Sequence, residues 1–156
     1  MRGEDMALSE EALKVKNKLK ALEGKKRLLK SIQQQISNAR ADMSGIRAVS
    51  YENAKVLGGS KTSVQERFTA LITKLEARYE KVMAEAFAIE DAIAEAVYYL
   101  DEVEQAMIID RYINGYSWRK IERLHDYCDR QTYRIHNEAI EKMASNAYCN
   151  EILSKL

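Results

Sequence analysis

The side chains best suited to chemistry with a partner molecule are gathered in the C-terminal third of the chain. Arg130, Arg134, Asn137 and Glu141 recur at helical spacing on one side, and Gln131 and Tyr133 flank them. The types are informative. An arginine fork matches two acceptors on guanine, and an Asn or Gln amide matches the donor–acceptor pair on adenine. A few residues upstream, Arg119, Lys120 and Arg123 carry cations of the kind that hold phosphates. The candidate DNA-contacting set is therefore Ser117, Arg119, Lys120, Arg130, Gln131, Tyr133, Arg134 and Asn137.

Such a set acts only if short helices hold it in place. Asn114-Gly115 is a stop signal, because both residues tolerate positive φ. Ser117 is placed to cap a helix from Trp118 to about His125. Trp118, Ile121 and Leu124 would form its apolar face, with Trp118 in the core. Asp126-Tyr127-Cys128 then reads as a turn. Asp129 opens a third helix, where its carboxylate suits the positive end of the dipole. On that helix Thr132, Ile135, Ala139 and Met143 are expected to face inward. The layout is a helix-turn-helix, in which a scaffold helix precedes one that offers its first residues to base edges.

Upstream, the pattern is one of long helices. Leu8, Val15, Leu22, Leu29, Ile36 and Met43 repeat every seven residues, with Leu19, Ile32, Ala39 and Ile46 broadening the stripe. Lys25-Lys26-Arg27 interrupts it. Residues 48–61 break the pattern at Gly58-Gly59, after which Thr62 or Ser63 is a candidate cap, with Glu66 completing a capping box. A second periodic segment, 64–107, follows, with apolar positions that include Phe68, Leu71, Leu75, Val82, Ile89, Ile93, Val97, Val103 and Met107. The expected fold is all-α: a long antiparallel helical hairpin or coiled coil, then the helix-turn-helix. The divisions are 1–61, 62–100, 101–144 and a tail helix at 145–156. The two stripes can meet within one chain or in a homodimer, and sequence alone leaves both open.

Composition supports this reading. The chain has no proline and only six glycines, so little in it forces helices to break. The net charge of +1 conceals segregation. Residues 1–47 carry 11 Lys/Arg against 6 Asp/Glu, 62–110 carry 4 against 11, and 111–144 carry 7 against 5. A basic first helix and an acidic middle helix would attract each other.

Other function classes find no footing. There is no Gly-rich phosphate loop, no nucleophile motif and no His-centred constellation, so no enzyme activity and no cofactor are expected. His125, Cys128 and His136 match no zinc spacing, so no metal is expected. Cys128 and Cys149 are expected to be free thiols. No apolar run nears the roughly 18 residues of a membrane span, and the N-terminus lacks a signal-peptide core. The expectation is a cytoplasmic protein without membrane contact.

The stretch RYINGYSWRKIERL…DRQTYRIHNEAI resembles region 4 of bacterial sigma factors. It is more similar still to the ArpU/RinA-like late transcriptional regulators of phages that infect Gram-positive bacteria. The matching residues are Arg111-Tyr112, Gly115, Ser117-Trp118 and Ile121, then Arg130-Gln131, Tyr133-Arg134-Ile135-His136 and Ala139-Ile140. The resemblance covers about 101–144. It implies an activator of phage late genes that acts in a bacterial host cell on promoter double-stranded DNA, with bacterial RNA polymerase as a further partner. Two departures stand out. The turn is one residue longer than the family's usual spacing, and Cys128 stands where a serine normally caps the recognition helix. The alternative is a small-terminase-like DNA-recognition subunit of a phage packaging machine. Those proteins also join a helix-turn-helix to long oligomerising helices, but typically place the motif first.

Overall fold

The computed structural model describes residues 8–52 and 61–156, and the side chains of 8–45 and 64–156. These residues are all-α, with no strand among them. The helices are α1 (Glu10–Glu52), α2 (Lys61–Val97), α3 (Glu102–Ile108), α4 (Trp118–His125), α5 (Asp129–Ser145) and α6 (Ala147–Ser154). A single π-helical turn, Ile109–Ile113, prolongs α3. None of these helices is long and apolar enough to cross a membrane.

The chain divides into two compact units. One is Lys25–Glu85, built from the distal parts of α1 and α2. Leu29, Ile32 and Ala39 of α1 and Ile72, Leu75 and Val82 of α2 are buried in it. Lys25 pairs with Glu85 at 2.6 Å and Arg40 with Glu76 at 2.5 Å. The α2 partner falls in number as the α1 residue rises, the order that antiparallel neighbours require. Basic α1 thus meets acidic α2 side by side, as the charge segregation led one to expect, and Lys25 holds the Glu85 carboxyl below its ordinary range.

The other unit joins the described residues up to Gly24 with Ala86–Leu156. Its interior contains Ala12, Val15, Leu19 and Leu22 from α1, Ile93 and Val97 from α2, and apolar residues of every later helix. Each fully buried large aliphatic side chain contributes about 1.5–3 kcal/mol relative to exposure. α6 is fastened at both ends. Cys149 donates its thiol to the Ala96 carbonyl at 3.2 Å, and the Lys18 ammonium donates to the Leu153 carbonyl at 2.8 Å. Burial pushes the Cys149 thiol up, so it packs as an unreactive apolar group.

Several expectations are corrected. α1 does not stop near Met43–Ile46 but continues to Glu52. α2 begins at Lys61, so Thr62 and Ser63 lie within it rather than capping it. Gly58-Gly59 lies outside the described residues. The second long segment is broken at Tyr98–Leu100 and restarts as α3. The restart is dictated by Asp101. Its side chain accepts from the Glu104 amide, and the Glu104 side chain accepts from the Asp101 amide, a reciprocal capping box. Because of the break, Val103 leaves the apolar stripe and is exposed. Leu71 is also exposed, and its neighbour Ile72 takes the core position.

Candidate nucleic-acid interface

Two helix ends and a tight turn define this region. The Asn114 amide donates to the Ile109 carbonyl and the Tyr116 amide to the Asp110 carbonyl, both at 2.9 Å, so α3 ends in a widened turn. Gly115 follows at φ +70, a conformation that glycine adopts without penalty. Ser117 then caps α4, its hydroxyl accepting from the Lys120 amide at 3.3 Å. At the other end of α4, Asp126 takes a left-handed conformation at φ 54, and the Asp126 and Tyr127 amides both donate to the Glu122 carbonyl. The reversal is complete within three residues, and α5 starts at Asp129. Cys128 occupies the cap position of α5 but makes no side-chain cap. The Thr132 hydroxyl instead donates back to the Cys128 carbonyl at 3.2 Å.

An aromatic-rich core holds these helices together. Met107, Ile121 and Ile135 form its buried centre, with Tyr116, Trp118 and Tyr127 packed around it. The Trp118 ring lies 4.9 Å from that of Tyr133 and 5.0 Å from that of His136, and the Arg111 guanidinium sits 4.7 Å above it. Arg111 also donates to the Tyr116 carbonyl at 3.0 Å, so it braces the turn before α4. Leu124, expected on the apolar face of α4, is 59% exposed. The eight-residue helix turns too far for a third position to stay inside, and Tyr127 packs against the core in its place.

The expected site residues divide into two groups. Arg119, Lys120, Arg130 and Arg134 are exposed, as is Ser117 at its cap. Lys120 lies 3.4 Å above the Tyr116 ring, which restrains it. The Arg134 guanidinium reaches Glu138 one turn on at 4.0 Å, a loose pair that an incoming acceptor can displace. Gln131, Tyr133 and Asn137 are only half-buried. Tyr133 is anchored by Trp118, and the Asn137 amide oxygen is 3.0 Å from His136 Nδ1. Asn137 is therefore committed to its neighbour and less free to read adenine than its type suggests.

Glu141, the last residue of this face, is occupied. Its carboxylate accepts from the Ser9 amide at 2.6 Å and from the Ser9 hydroxyl at 2.8 Å. The start of α1 thus rests on the C-terminal half of the α5 outer face. Among the described residues, Arg130 and Arg134 on the first two turns of α5 are exposed, and Gln131 between them is half-buried.

Three polar links in this region escaped sequence reasoning. Tyr112 bonds to His136, His125 lies 2.8 Å from Asp110, and Lys142 pairs with Glu104. Asp110 also accepts from the Asn114 amide group at 2.9 Å. Only the Asp101–Glu104 spacing carried a readable signal for any of them, that of a helix start. Among the described residues no cluster of three or more His, Cys, Asp or Glu is placed to hold a metal. The chain matches no family model, no curated protein and no solved structure.

Proposed function

We propose that the protein is a sequence-specific DNA-binding regulator of transcription, an activator of phage late genes. The observation that carries this reading is the open N-terminal part of α5. There Arg130 and Arg134 are exposed and Gln131 is half-buried, and Arg119 and Lys120 of α4 are exposed as well, on two helices joined by a three-residue turn. This matches what a duplex requires. Phosphate contacts from α4 set the register, and the first turns of α5 enter the major groove with donors aimed at base edges. The motif resemblance of residues 111–140 supports the phage assignment, and RNA polymerase is the second partner that it implies.

The test is an electrophoretic shift and footprint with the full chain on promoter DNA from the late region of its phage, over a range of salt. The proposal expects a bounded protected site and an affinity that falls steeply and linearly in log–log form as salt rises. Equal affinity for promoter and random duplex would remove sequence-specific regulation. No shift at low salt would remove DNA altogether.

A further inference from the structure

The opposite end of α5 carries a surface with a different chemistry. Tyr98 and Tyr99, at the break between α2 and α3, are 77% and 52% exposed, and Tyr148 on α6 is 41% exposed. The three rings are in contact. Tyr98 and Tyr99 meet edge-on at 6.0 Å, and Tyr99 and Tyr148 at 4.9 Å. Their backbone is braced, since the Gln105 amide donates to the carbonyls of Tyr98 and Leu100. The Tyr148 hydroxyl donates to Glu95 at 2.5 Å, which pushes that phenol up to about 12. The rings are thus a preformed aromatic platform. Tyrosines held in this way are the residues that dominate protein interfaces, because little side-chain entropy is lost on contact.

The charge around the platform selects its occupant. Glu95, Asp101, Glu102 and Glu151 are all exposed and lie close in sequence to the three rings. Lys142 is committed to Glu104 and Asp101. Lys155 lies about two helical turns beyond Tyr148 on α6. Carboxylates beside exposed aromatic faces repel phosphate and attract arginine or lysine, whose cations also bind ring faces. A second copy docking by the same patch would bring like charges together. Arg134 and Arg130 lie about 17 and 23 Å along the helix axis from the C-terminal end of α5, which leads into α6 and Tyr148.

We propose that the Tyr98–Tyr99–Tyr148 platform is a docking surface for a basic, partly apolar segment of another protein. The platform makes the chain a two-ended adaptor, independently of whether the α4–α5 face binds DNA. The segment inserts an apolar side chain among the rings and sets arginines or lysines against Glu95, Glu102 and Glu151.

The experiment uses the full chain with isotope-labelled tyrosine rings, assigned by single Tyr→Phe variants. The probe is a synthetic amphipathic helix with arginines flanking a leucine stripe, and the control replaces each arginine by glutamate. The expected result is saturable movement of the Tyr98, Tyr99 and Tyr148 signals with the arginine peptide alone. Tyr98→Ser and the charge reversal Glu102→Lys should each weaken binding about tenfold. Both sites are exposed, so an unchanged thermal unfolding curve verifies that the fold is intact. Four outcomes overturn the proposal: no movement with the arginine peptide, equal movement with the glutamate peptide, binding indifferent to both variants, or movement of the same rings by duplex DNA or by self-association in sedimentation.

Discussion

The Tyr112 hydroxyl and His136 Nε2 lie 2.8 Å apart, and both residues are buried. This hydrogen bond joins the widened end of α3 to the middle of α5, beneath the face that carries Arg134. A buried polar group left without its partner costs about 1–3 kcal/mol. Tyr112→Phe keeps the ring and removes only the hydroxyl. It should lower unfolding stability by about 1–2 kcal/mol in denaturant titration, at an unchanged slope. A cost below the measurement error would show that the bond has no structural weight.

The backbone of the α4 boundaries supplies a contrast. Gly115 sits at φ +70, and a Cβ added there would meet nothing within 4 Å. Any penalty for Gly115→Ala is therefore conformational, about 1–2 kcal/mol. Asp126 holds a similar left-handed conformation with a side chain already present. Asp126→Gly should be neutral or stabilising by up to about 1 kcal/mol. Thermal melts of the two variants should move in opposite senses or differ clearly in size. Equal destabilisation would contradict the assigned backbone.

Much of this arrangement was legible in the residues. Ser117, Asp129 and Gly115 act through local backbone chemistry, and the limits of α4 and α5 fall where those residues put them. The inward set Thr132, Ile135, Ala139 and Met143 is buried, because a helical period needs no knowledge of the partner helix. Long-range pairs were not legible. His136 follows Ile135 and stands between two expected faces, and only the placement of Tyr112 across the interior tells its role. Glu141 reads as one more outward carboxylate until Ser9, 132 residues away, is brought against it. The break at Tyr98–Leu100 was hidden because the apolar period continues through it to Met107, while a capping box at Asp101 overrides the period.

The Ser9–Glu141 contact should control the first turn of α1. The Glu141 carboxylate takes the Ser9 amide and hydroxyl together, and the Ser9 hydroxyl is also 3.2 Å from the Ala12 amide. Glu141→Ala should release the α1 start and raise amide exchange at Leu13, whose N–H bonds the Ser9 carbonyl. The global loss should be about 1 kcal/mol. Unaltered exchange through Leu13 would show that the clamp is inert.

Acid should weaken the fold through two carboxylates in particular. Asp101 is held below its ordinary range by the Glu104 amide, helped by Lys142, and Glu85 is held down by Lys25. A depressed folded-state value contributes stability above the unfolded-state value, and that contribution disappears as pH falls through the folded-state value. The window thus opens near the ordinary carboxylate range, around pH 4, and extends below it. Lys142 has the opposite sign. Glu104 holds it above its ordinary value, so its contribution is complete at neutral pH and lost only in strong alkali. Asp101→Asn should flatten the acid limb of a stability–pH curve and leave the region from pH 6 to 8 nearly flat. An acid limb unchanged in that variant would move the linkage to other groups.

The cations of α4 and α5 should fail in different ways if the proposed DNA reading holds. Arg134 stands on the open face of α5 with only a 4.0 Å pair to Glu138, so its fork is available to a guanine edge. Arg134→Ala should cost about 1–3 kcal/mol on the specific site and little on random duplex, narrowing the ratio between them. Lys120 is restrained over Tyr116 at the start of α4, where it suits a phosphate. Lys120→Ala should weaken both duplexes alike and reduce the salt slope by about one. Asn137, tied to His136, should matter less than either. Titrations of the three variants on both duplexes at two salt concentrations separate these roles. If Arg134→Ala weakened both duplexes equally, Arg134 would be a phosphate contact, and base reading would have to rest on Arg130 and Gln131.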